Sequence, residues 1–214
     1  MILNVIFDFG AVLVDWDPRH LYVPYFGDPD KAEWFLTEIC PYSWNTEADA
    51  GRTTAEITAE RIALFPSWEK EIRMYYGRWI EMMGGQIPGM EALVRDLKER
   101  GYGVYGLTNW SRETFPLVRD RYPVFRLLDG YVVSGEEMTM KPYPRLYRIL
   151  LERYGLQAGE CVFIDDNPAN TAGAEAVGIR GLVFQDAEQV RKDLSALLPE
   201  HCCAGDSGEK APRK

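Results

Sequence analysis

The sequence is poor in cysteine and histidine, and it contains no long apolar run. Its 214 residues include four cysteines and two histidines. The cysteines, Cys40, Cys161, Cys202 and Cys203, show neither a metal-ligand spacing nor a disulfide framework, which predicts a reducing compartment. No apolar run approaches a transmembrane span, and no basic region precedes the short apolar stretch at the N-terminus. We therefore expect a cytoplasmic protein.

Positive charge is scarce as well. A formal net charge of −9 argues against a nucleic-acid partner and against an anionic membrane surface. It leaves a phosphorylated small molecule open as a substrate, because one metal ion or lysine can reverse the sign of the charge locally. The hydrophobic content of 46% is ordinary for a globular chain, and 214 residues suffice for one domain with a smaller one inserted.

The most informative stretch comes first, at residues 4–13. Apolar residues run into Asp8, and small residues follow at once. Such a short run is typical of a buried strand in a parallel sheet, and ligands of open α/β sheets bind at the carboxyl ends of these strands. Asp8 could be a nucleophile, a metal ligand or both, with Gly10 letting the backbone approach a ligand. Taken alone, a strand-end aspartate more often caps a turn.

Helical patterns fill the chain from residue 17 to about residue 83. The predicted helix starts all carry a capping residue: Asp17-Pro18, Asp28-Pro29, the capping box of Thr53 with Glu56, and Ser67. Residues 84–89 are rich in glycine and proline, which predicts a hinge.

After residue 89, helices and strands alternate. Helices are predicted at about 90–100, 111–121, 144–154, 167–177 and 187–198, with strands at 104–108, 128–133, 161–165 and 181–184. This alternation predicts an α/β fold with a doubly wound parallel sheet. About 90 residues separate the first two core strands, far more than a crossover needs. We therefore predict a core of residues 1–15 and 86–200, a helical cap at 16–85, and a disordered tail at 201–214.

Polar residues follow each predicted core strand: Asp8, Thr108-Asn109, Lys141, and Asp165-Asp166. Because the carboxyl ends of parallel strands share one edge, these side chains can converge. Singly, each has an ordinary role, since threonine caps, lysine is usually solvated and paired aspartates form turns. The adjacent carboxylates of Asp165 and Asp166 repel one another unless a cation lies between them and Asp8.

Charge and ligand type favour magnesium at this edge. The three aspartates carry −3, which Mg²⁺ and Lys141 together neutralise, so a pocket holding the ion can admit a phosphate. Only oxygen ligands are available, because no histidine or cysteine lies near these positions. Oxygen ligands favour Mg²⁺ over zinc.

The order of these motifs, on an α/β core with an early helical insertion, resembles the haloacid dehalogenase superfamily over nearly the whole chain to about residue 198. The resemblance implies a Rossmann-like core with a helical cap and an Mg²⁺-dependent phosphatase. In it, Asp8 forms an aspartyl-phosphate and binds Mg²⁺ with the carbonyl of Gly10. It further implies these roles: phosphoryl binding by Thr108 and the backbone N–H of Asn109, charge neutralisation by Lys141, and completion of the metal site by Asp166 with help from Asp165.

Gly10 departs from the superfamily pattern. Phosphatases of this superfamily usually carry a second aspartate there, which protonates the leaving oxygen. Loss of this aspartate is expected to lower the rate of hydrolysis by roughly 10²–10⁴-fold when the leaving group is poor. Three explanations compete: a better leaving group such as an anomeric sugar hydroxyl, another acid (Asp15, Asp17 or one from the cap), or no turnover. We favour the first, since residues 7–15 and 163–167 are similar to the subgroup that includes α-D-glucose-1-phosphate phosphatase, and we expect a hexose 1-phosphate.

Other functions fit the sequence less well. A 2-haloacid dehalogenase also lacks the second aspartate, but it works without metal and without the carboxylate pair. A response-regulator receiver uses Asp, Thr and Lys in another order. A non-catalytic scaffold that binds phosphorylated ligands has Gly10 alone in its favour. In the cap, Trp44, Asn45 and Arg52 are expected in packing or loops, although caps of this kind commonly reach the substrate through a loop such as residues 49–52.

Overall fold

The computed structural model describes residues 1–198. These residues form seven strands: β1 (Asn4–Phe7), β2 (Val14–Trp16), β3 (Met83–Gln86), β4 (Gly103–Thr108), β5 (Gly130–Val133), β6 (Cys161–Asp165) and β7 (Arg180–Val183). Five of them make one sheet in the order β5–β4–β1–β6–β7, and all its pairs are parallel. The predicted doubly wound α/β fold is confirmed.

Eleven α-helices accompany these strands within the described residues. They are α1 (Arg19–Phe26), α2 (Pro29–Trp34), α3 (Tyr42–Asp49), α4 (Thr54–Leu64), α5 (Glu69–Gly77), α6 (Met90–Glu99), α7 (Phe115–Arg119), α8 (Ser134–Glu137), α9 (Pro144–Tyr154), α10 (Pro168–Glu175) and α11 (Ala187–Leu197). A single π-helical turn, Phe35–Ile39, continues α2. Short 3₁₀ segments lie at Pro66–Trp68, Trp79–Met82, Pro123–Leu127 and Ala158–Glu160.

The central strands are buried on both faces, which explains their unbroken apolar sequences. Successive side chains of β1 point to opposite faces, so Ile6 packs in one core with Phe163 and α9, whereas Val5 and Phe7 pack in the other with α6. β1 lies at the centre and pairs with both β4 and β6. The residue that follows β1 is therefore held from both sides.

The helices α1–α5 lie between β2 and β3, which pair with each other antiparallel, with Val14 opposite Gln86. The prediction that residues 84–89 form only a hinge was wrong, because Met83–Gln86 is a strand. Its two glycines carry no strand propensity, and pairing with β2 supplies the hydrogen bonds that keep the segment extended. The boundaries of the cap at residues 16 and 85 stay a prediction, and this small sheet lies at both of them.

Some of the predicted helix caps form in the structure and others do not. Asp28 caps α2, and Thr53 and Glu56 form the predicted capping box of α4. Asp17 accepts a hydrogen bond from the backbone N–H of Arg19 at 2.8 Å, at the start of α1. Ser67 does not cap a helix, since it lies within a 3₁₀ turn and α5 begins at Glu69 without a side-chain cap.

The predicted helix at residues 111–121 is shorter than expected, because α7 covers only Phe115–Arg119. Pro116 lacks an N–H and is tolerated only in the first turn of a helix. Before it, the Ser111 hydroxyl accepts from the backbone N–H of Glu113 at 3.2 Å, and such local bonds favour turns. The predicted tail, residues 201–214, lies outside the described residues.

Within residues 1–198, no helix is both long enough and apolar enough to span a bilayer.

The two-sided core makes a stability prediction. Leu150 of α9 is fully buried, whereas Leu64 at the end of α4 is 69% exposed. We expect Leu150→Ala to lower the free energy of unfolding by about 2–5 kcal/mol through a cavity in the core. Leu64→Ala is the matched control and is expected to stay within about 0.5 kcal/mol of wild type. Urea unfolding measures both, and equal losses would show that Leu150 is not part of the packed core.

Candidate active site

The carboxyl ends of β1, β4 and β6 meet at one edge of the sheet. From β1 the chain runs outward through β4 and β5 and then returns to add β6 and β7 on the other side of β1. Such a change of direction opens a crevice at the carboxyl ends of the strands. Asp8 lies directly after β1, and its backbone N–H donates to the carbonyl of Ile164 in β6 at 2.9 Å.

Lys141 joins two of the predicted carboxylates. Its Nζ lies 2.8 Å from Oδ1 of Asp8 and 2.6 Å from Oδ2 of Asp165. The lysine side chain is fully buried, as is that of Asp165, and Asp8 is 8% exposed. A buried charge is tolerated only when it is paired, so both carboxylates depend on Lys141, and the lysine depends on them.

Both carboxylate oxygens of Asp165 accept hydrogen bonds. Besides Lys141, it accepts bonds from Asn170 Nδ2 to both oxygens at 3.0 Å and from the backbone N–H of Asn167 to Oδ1 at 2.8 Å. Asp166, the next residue, is exposed and lines the cavity described below. The two adjacent carboxylates therefore have different surroundings: Asp165 holds Lys141, and Asp166 faces open space.

Burial has the largest effect on the pKa values of the charged groups in the site. It raises the pKa of Asp8 to about 7, and Lys141 opposes this rise whereas the charge of Asp165 adds to it. Burial alone would lower the pKa of Lys141, but Asp8 and Asp165 together raise it above its ordinary value, so the lysine stays charged. Burial, and then the charge of Asp165, also raise the pKa of Asp166. Further positive charge near Asp8 and Asp166 would favour their ionised forms.

The residues present fit a magnesium ion. One carboxylate oxygen from each of Asp8, Asp165 and Asp166 lies within 4.8 Å of the other two. Asp8 and Asp166 are the more available donors, because both oxygens of Asp165 already accept hydrogen bonds. Gly10 lines the same space, and its carbonyl is a further oxygen donor. Together they form a hard, oxygen-only donor set, which suits Mg²⁺. The choice of Asp8, Gly10, Asp165 and Asp166 as ligands stays a prediction.

Thr108 is the last residue of β4, and Asn109 follows it at the same edge as Asp8. Thr108 is 1% exposed and lines the cavity together with Asn109. The Asn109 side chain holds the backbone of Lys141: its Oδ1 accepts from the Lys141 N–H at 2.8 Å, and its Nδ2 donates to the Lys141 carbonyl at 3.0 Å. This contact fixes the lysine and leaves the predicted role of the Asn109 backbone N–H, phosphoryl binding, as a prediction.

A cavity of about 300 Å³ lies above these residues. Its core side contains Asp8, Gly10, Thr108, Lys141 and Asp166. Its other walls come from the helical insertion and the adjoining loops, with four aromatic side chains, Trp16, Tyr42, Trp79 and Trp110, and two polar ones, Asn45 and Asp49.

Sequence reasoning missed part of this wall. Trp44 packs inside the insertion against Tyr75, as expected, and Arg52 forms ion pairs with Glu47 and Glu60 on the surface. Asn45, in contrast, lines the cavity, and so does Asp49, the first residue of the loop expected to reach the substrate. For Asn45 the only signal was a polar residue within an aromatic helical segment, which does not show which way the helix faces. For Asp49 the signal was its place at the start of the loop at residues 49–52.

Two other acids named from the sequence lie elsewhere. Asp15 contacts Nε2 of His20 at 2.9 Å, and Asp17 contacts Arg19 at the start of α1. Neither is among the residues that line the cavity.

The chain belongs to the haloacid dehalogenase-like hydrolases, whose family model matches residues 30–178. This match confirms the family that the motif order indicated.

Two curated relatives match about half of the chain. The chain is 33% identical over 109 residues to the sesquiterpene phosphatase astK of Aspergillus oryzae, covering 51% of this chain and 56% of that protein. It is 29% identical over 111 residues to the chloroplast flavin mononucleotide hydrolase 1 of Arabidopsis thaliana, covering 52% of this chain and 45% of that protein. The chain thus spans about half the length of these relatives.

Solved structures share the whole fold. A HAD family enzyme of Bacteroides thetaiotaomicron, solved in complex with magnesium and inorganic phosphate, superposes with a TM-score of 0.66. It is 23% identical and covers 93% of this chain and 100% of its own. At this identity the likeness concerns the fold.

The oxygen cluster predicts stabilisation by magnesium. An ion that binds only the folded protein stabilises it by about 2.7 kcal/mol at a hundredfold excess over Kd, a rise in Tm of roughly 5–10 °C for a chain of this size. We expect Asp166→Asn to remove most of this rise, because it takes away the exposed carboxylate. The matched control is Glu99→Gln, an exposed residue of α6 outside the cavity, which should keep it. Thermal unfolding with Mg²⁺ or with EDTA measures the effect, and a full rise in Asp166→Asn would contradict the site.

Proposed function

We propose that the protein is an Mg²⁺-dependent phosphomonoester hydrolase that acts on a small phosphorylated metabolite through an aspartyl-phosphate on Asp8. The observation that supports this proposal most strongly is the contact of Lys141 with Asp8 at 2.8 Å, at the base of the cavity. It places a buried carboxylate beside a fixed positive charge, where an anionic phosphate would otherwise be repelled.

The chain's own residues account for phosphoryl transfer. One oxygen of Asp8 attacks phosphorus in line with the leaving oxygen, and the position of Asp8 is fixed by its Oδ1 contacts with Lys141 and with the backbone N–H of Phe9 at 2.7 Å. Thr108, the backbone N–H of Asn109 and Lys141 stabilise the charge on the other phosphoryl oxygens. Mg²⁺, held by Asp8, Asp166 and the Gly10 carbonyl with the help of Asp165, would offset the remaining negative charge.

The cavity supports a small substrate, with hexose 1-phosphates first. About 300 Å³ is near the lower end of the roughly 300–1,000 Å³ that ligand pockets occupy. Aromatic faces pack against the apolar faces of a sugar ring, and Asn45 offers hydrogen bonds to hydroxyl groups. We expect that a panel of phosphorylated metabolites ranks sugar 1-phosphates above nucleotides. The reverse order would reject this substrate class but not the phosphatase.

Removal of the nucleophile tests the activity. Wild type is expected to hydrolyse p-nitrophenyl phosphate with Mg²⁺, and Asp8→Asn to fall to the rate of buffer alone, because an amide does not form the covalent intermediate. The control is Asp17→Asn, which changes an aspartate outside the cavity and should keep wild-type activity. A wild-type protein without turnover would favour a non-catalytic scaffold.

Metal dependence separates this reaction from dehalogenation. A 2-haloacid dehalogenase needs no divalent ion, whereas the exposed carboxylate of Asp166 beside Asp8 favours one. Phosphate release should stop in EDTA and return with Mg²⁺. Chloride release from a 2-chloroacid in EDTA would show that the assignment is wrong.

A further inference from the structure

The reaction proposed above needs a proton at the leaving oxygen, and position 10 supplies no side chain for it. This absence is not imposed by packing, since a Cβ built on Gly10 would meet no other atom within 4 Å. Without a donor, the leaving oxygen would have to depart as an anion, and even an anomeric sugar hydroxyl, which is a better leaving group than an ordinary alcohol, is far more basic than nitrophenolate and gains from protonation. A proton donor therefore has to be sought among the other residues that line the cavity.

Three carboxyl groups line the cavity: Asp8, Asp49 and Asp166. Asp8 is the proposed nucleophile, and Asp166 is a proposed metal ligand. Asp49 belongs to neither role, and it comes from the helical insertion rather than from the sheet edge. It is the one carboxyl group among these lining residues that the mechanism has not used.

The structure holds the Asp49 side chain firmly. It is 3% exposed at the end of α3. One turn earlier, Nδ2 of Asn45 donates to Oδ2 of Asp49 at 3.2 Å, and the hydroxyl of Tyr76 donates to Oδ1 of Asn45 at 3.1 Å. The tyrosine thus orients the amide so that its NH₂ group faces the carboxyl group.

The backbone at Asp49 is tied to the core. The Ser134 hydroxyl, directly after β5, donates to the carbonyl of Asp49 at 2.5 Å and accepts from the backbone N–H of Trp110 at 3.0 Å. The serine therefore joins the end of α3 to two strand ends of the sheet. This link fixes the end of α3 against the segments that follow β4 and β5 and makes Ser134 a positioning residue.

The surroundings of Asp49 favour its protonated form. Burial raises the pKa of Asp49 to about 7, and the negative charge of Asp8 adds to this rise. The backbone N–H of Ser111 and the charge of Lys141 act in the opposite direction. A general acid works best when its pKa lies near the working pH, because it then both holds the proton and releases it.

We propose that Asp49 is the general acid that protonates the leaving oxygen, in place of the side chain that Gly10 lacks. The inference rests on the proposed phosphatase activity and adds its proton donor. It assigns a catalytic residue to the helical insertion, so that the site is complete only with α3 docked on the sheet.

The two half-reactions balance. As Asp8 forms its bond to phosphorus, the bond from phosphorus to the leaving oxygen breaks, and its electron pair takes the proton of Asp49. This gives the free alcohol, the aspartyl-phosphate and an ionised Asp49. Water then attacks phosphorus and gives a proton to Asp49, which releases inorganic phosphate and restores both carboxyl groups.

The experiment compares leaving groups. We expect Asp49→Asn to lower kcat/KM for glucose 1-phosphate by about 10²-fold or more, whereas p-nitrophenyl phosphate stays within about threefold of wild type, because nitrophenolate leaves without a proton. Between these extremes, a series of substituted phenyl phosphates is compared by plotting log kcat/KM against the pKa of the leaving phenol. We expect the slope of this plot to be steeper in Asp49→Asn than in wild type. Because kcat/KM reports the steps up to the first bond cleavage, the later hydrolysis of the intermediate does not mask the effect.

Matched variants decide the interpretation. Glu47→Gln removes a carboxylate from the same helix, outside the cavity, and should leave the slope unchanged. Asn45→Ala should steepen the slope less than Asp49→Asn, since it loosens the acid but keeps it. Equal losses on both substrates, an unchanged slope, or a selective loss in Asp15→Asn instead would overturn the role of Asp49. A wild-type protein inactive on p-nitrophenyl phosphate would instead reject the phosphatase proposal.

Discussion

A buried lysine between two buried aspartates organises this molecule. Removing three charges from water is costly, and the cost is met only while Lys141 keeps its contacts of 2.8 Å with Asp8 and 2.6 Å with Asp165. Each partner comes from a different segment of the chain, so the ion triad requires the ends of β1 and β6 and the loop before α9 to be in register. Asn109 and Asn170 then hold the lysine backbone and the Asp165 carboxylate.

The ion triad also gives the carboxylates different contacts. Asp165 binds Lys141 through Oδ2 and accepts from the Asn167 backbone N–H and the Asn170 amide, Asp8 contacts the lysine through Oδ1, and Asp166 faces the cavity. Such a division matters for chemistry, because a nucleophile, a metal ligand and a proton donor need different protonation states in one small space. The fourth carboxyl group, Asp49, approaches from the helical insertion, and burial raises its pKa to about 7, as it does for Asp8.

The helical insertion contributes more than a lid. Its core is aromatic, with Tyr22, Phe35 and Tyr75 fully buried, and α3 is tied to the sheet through Ser134. A rigid cap helix docked in this way positions its side chains more precisely than a mobile loop does.

Periodicity and motif order in the sequence determined the parallel α/β core, the helical insertion and the presence of Asp8, Thr108 and Asp165-Asp166 at one edge, because strand ends of a parallel sheet must coincide. Lys141 reaches the same edge from the loop between α8 and α9, eight residues after β5 ends at Val133. Only the tertiary structure decided that Asp165 serves Lys141, that β3 forms from glycines, and that Asn45 and Asp49 enter the cavity while Arg52 stays on the surface. These outcomes depend on which face of α3 packs inward and on hydrogen bonds between distant segments, and local sequence encodes neither.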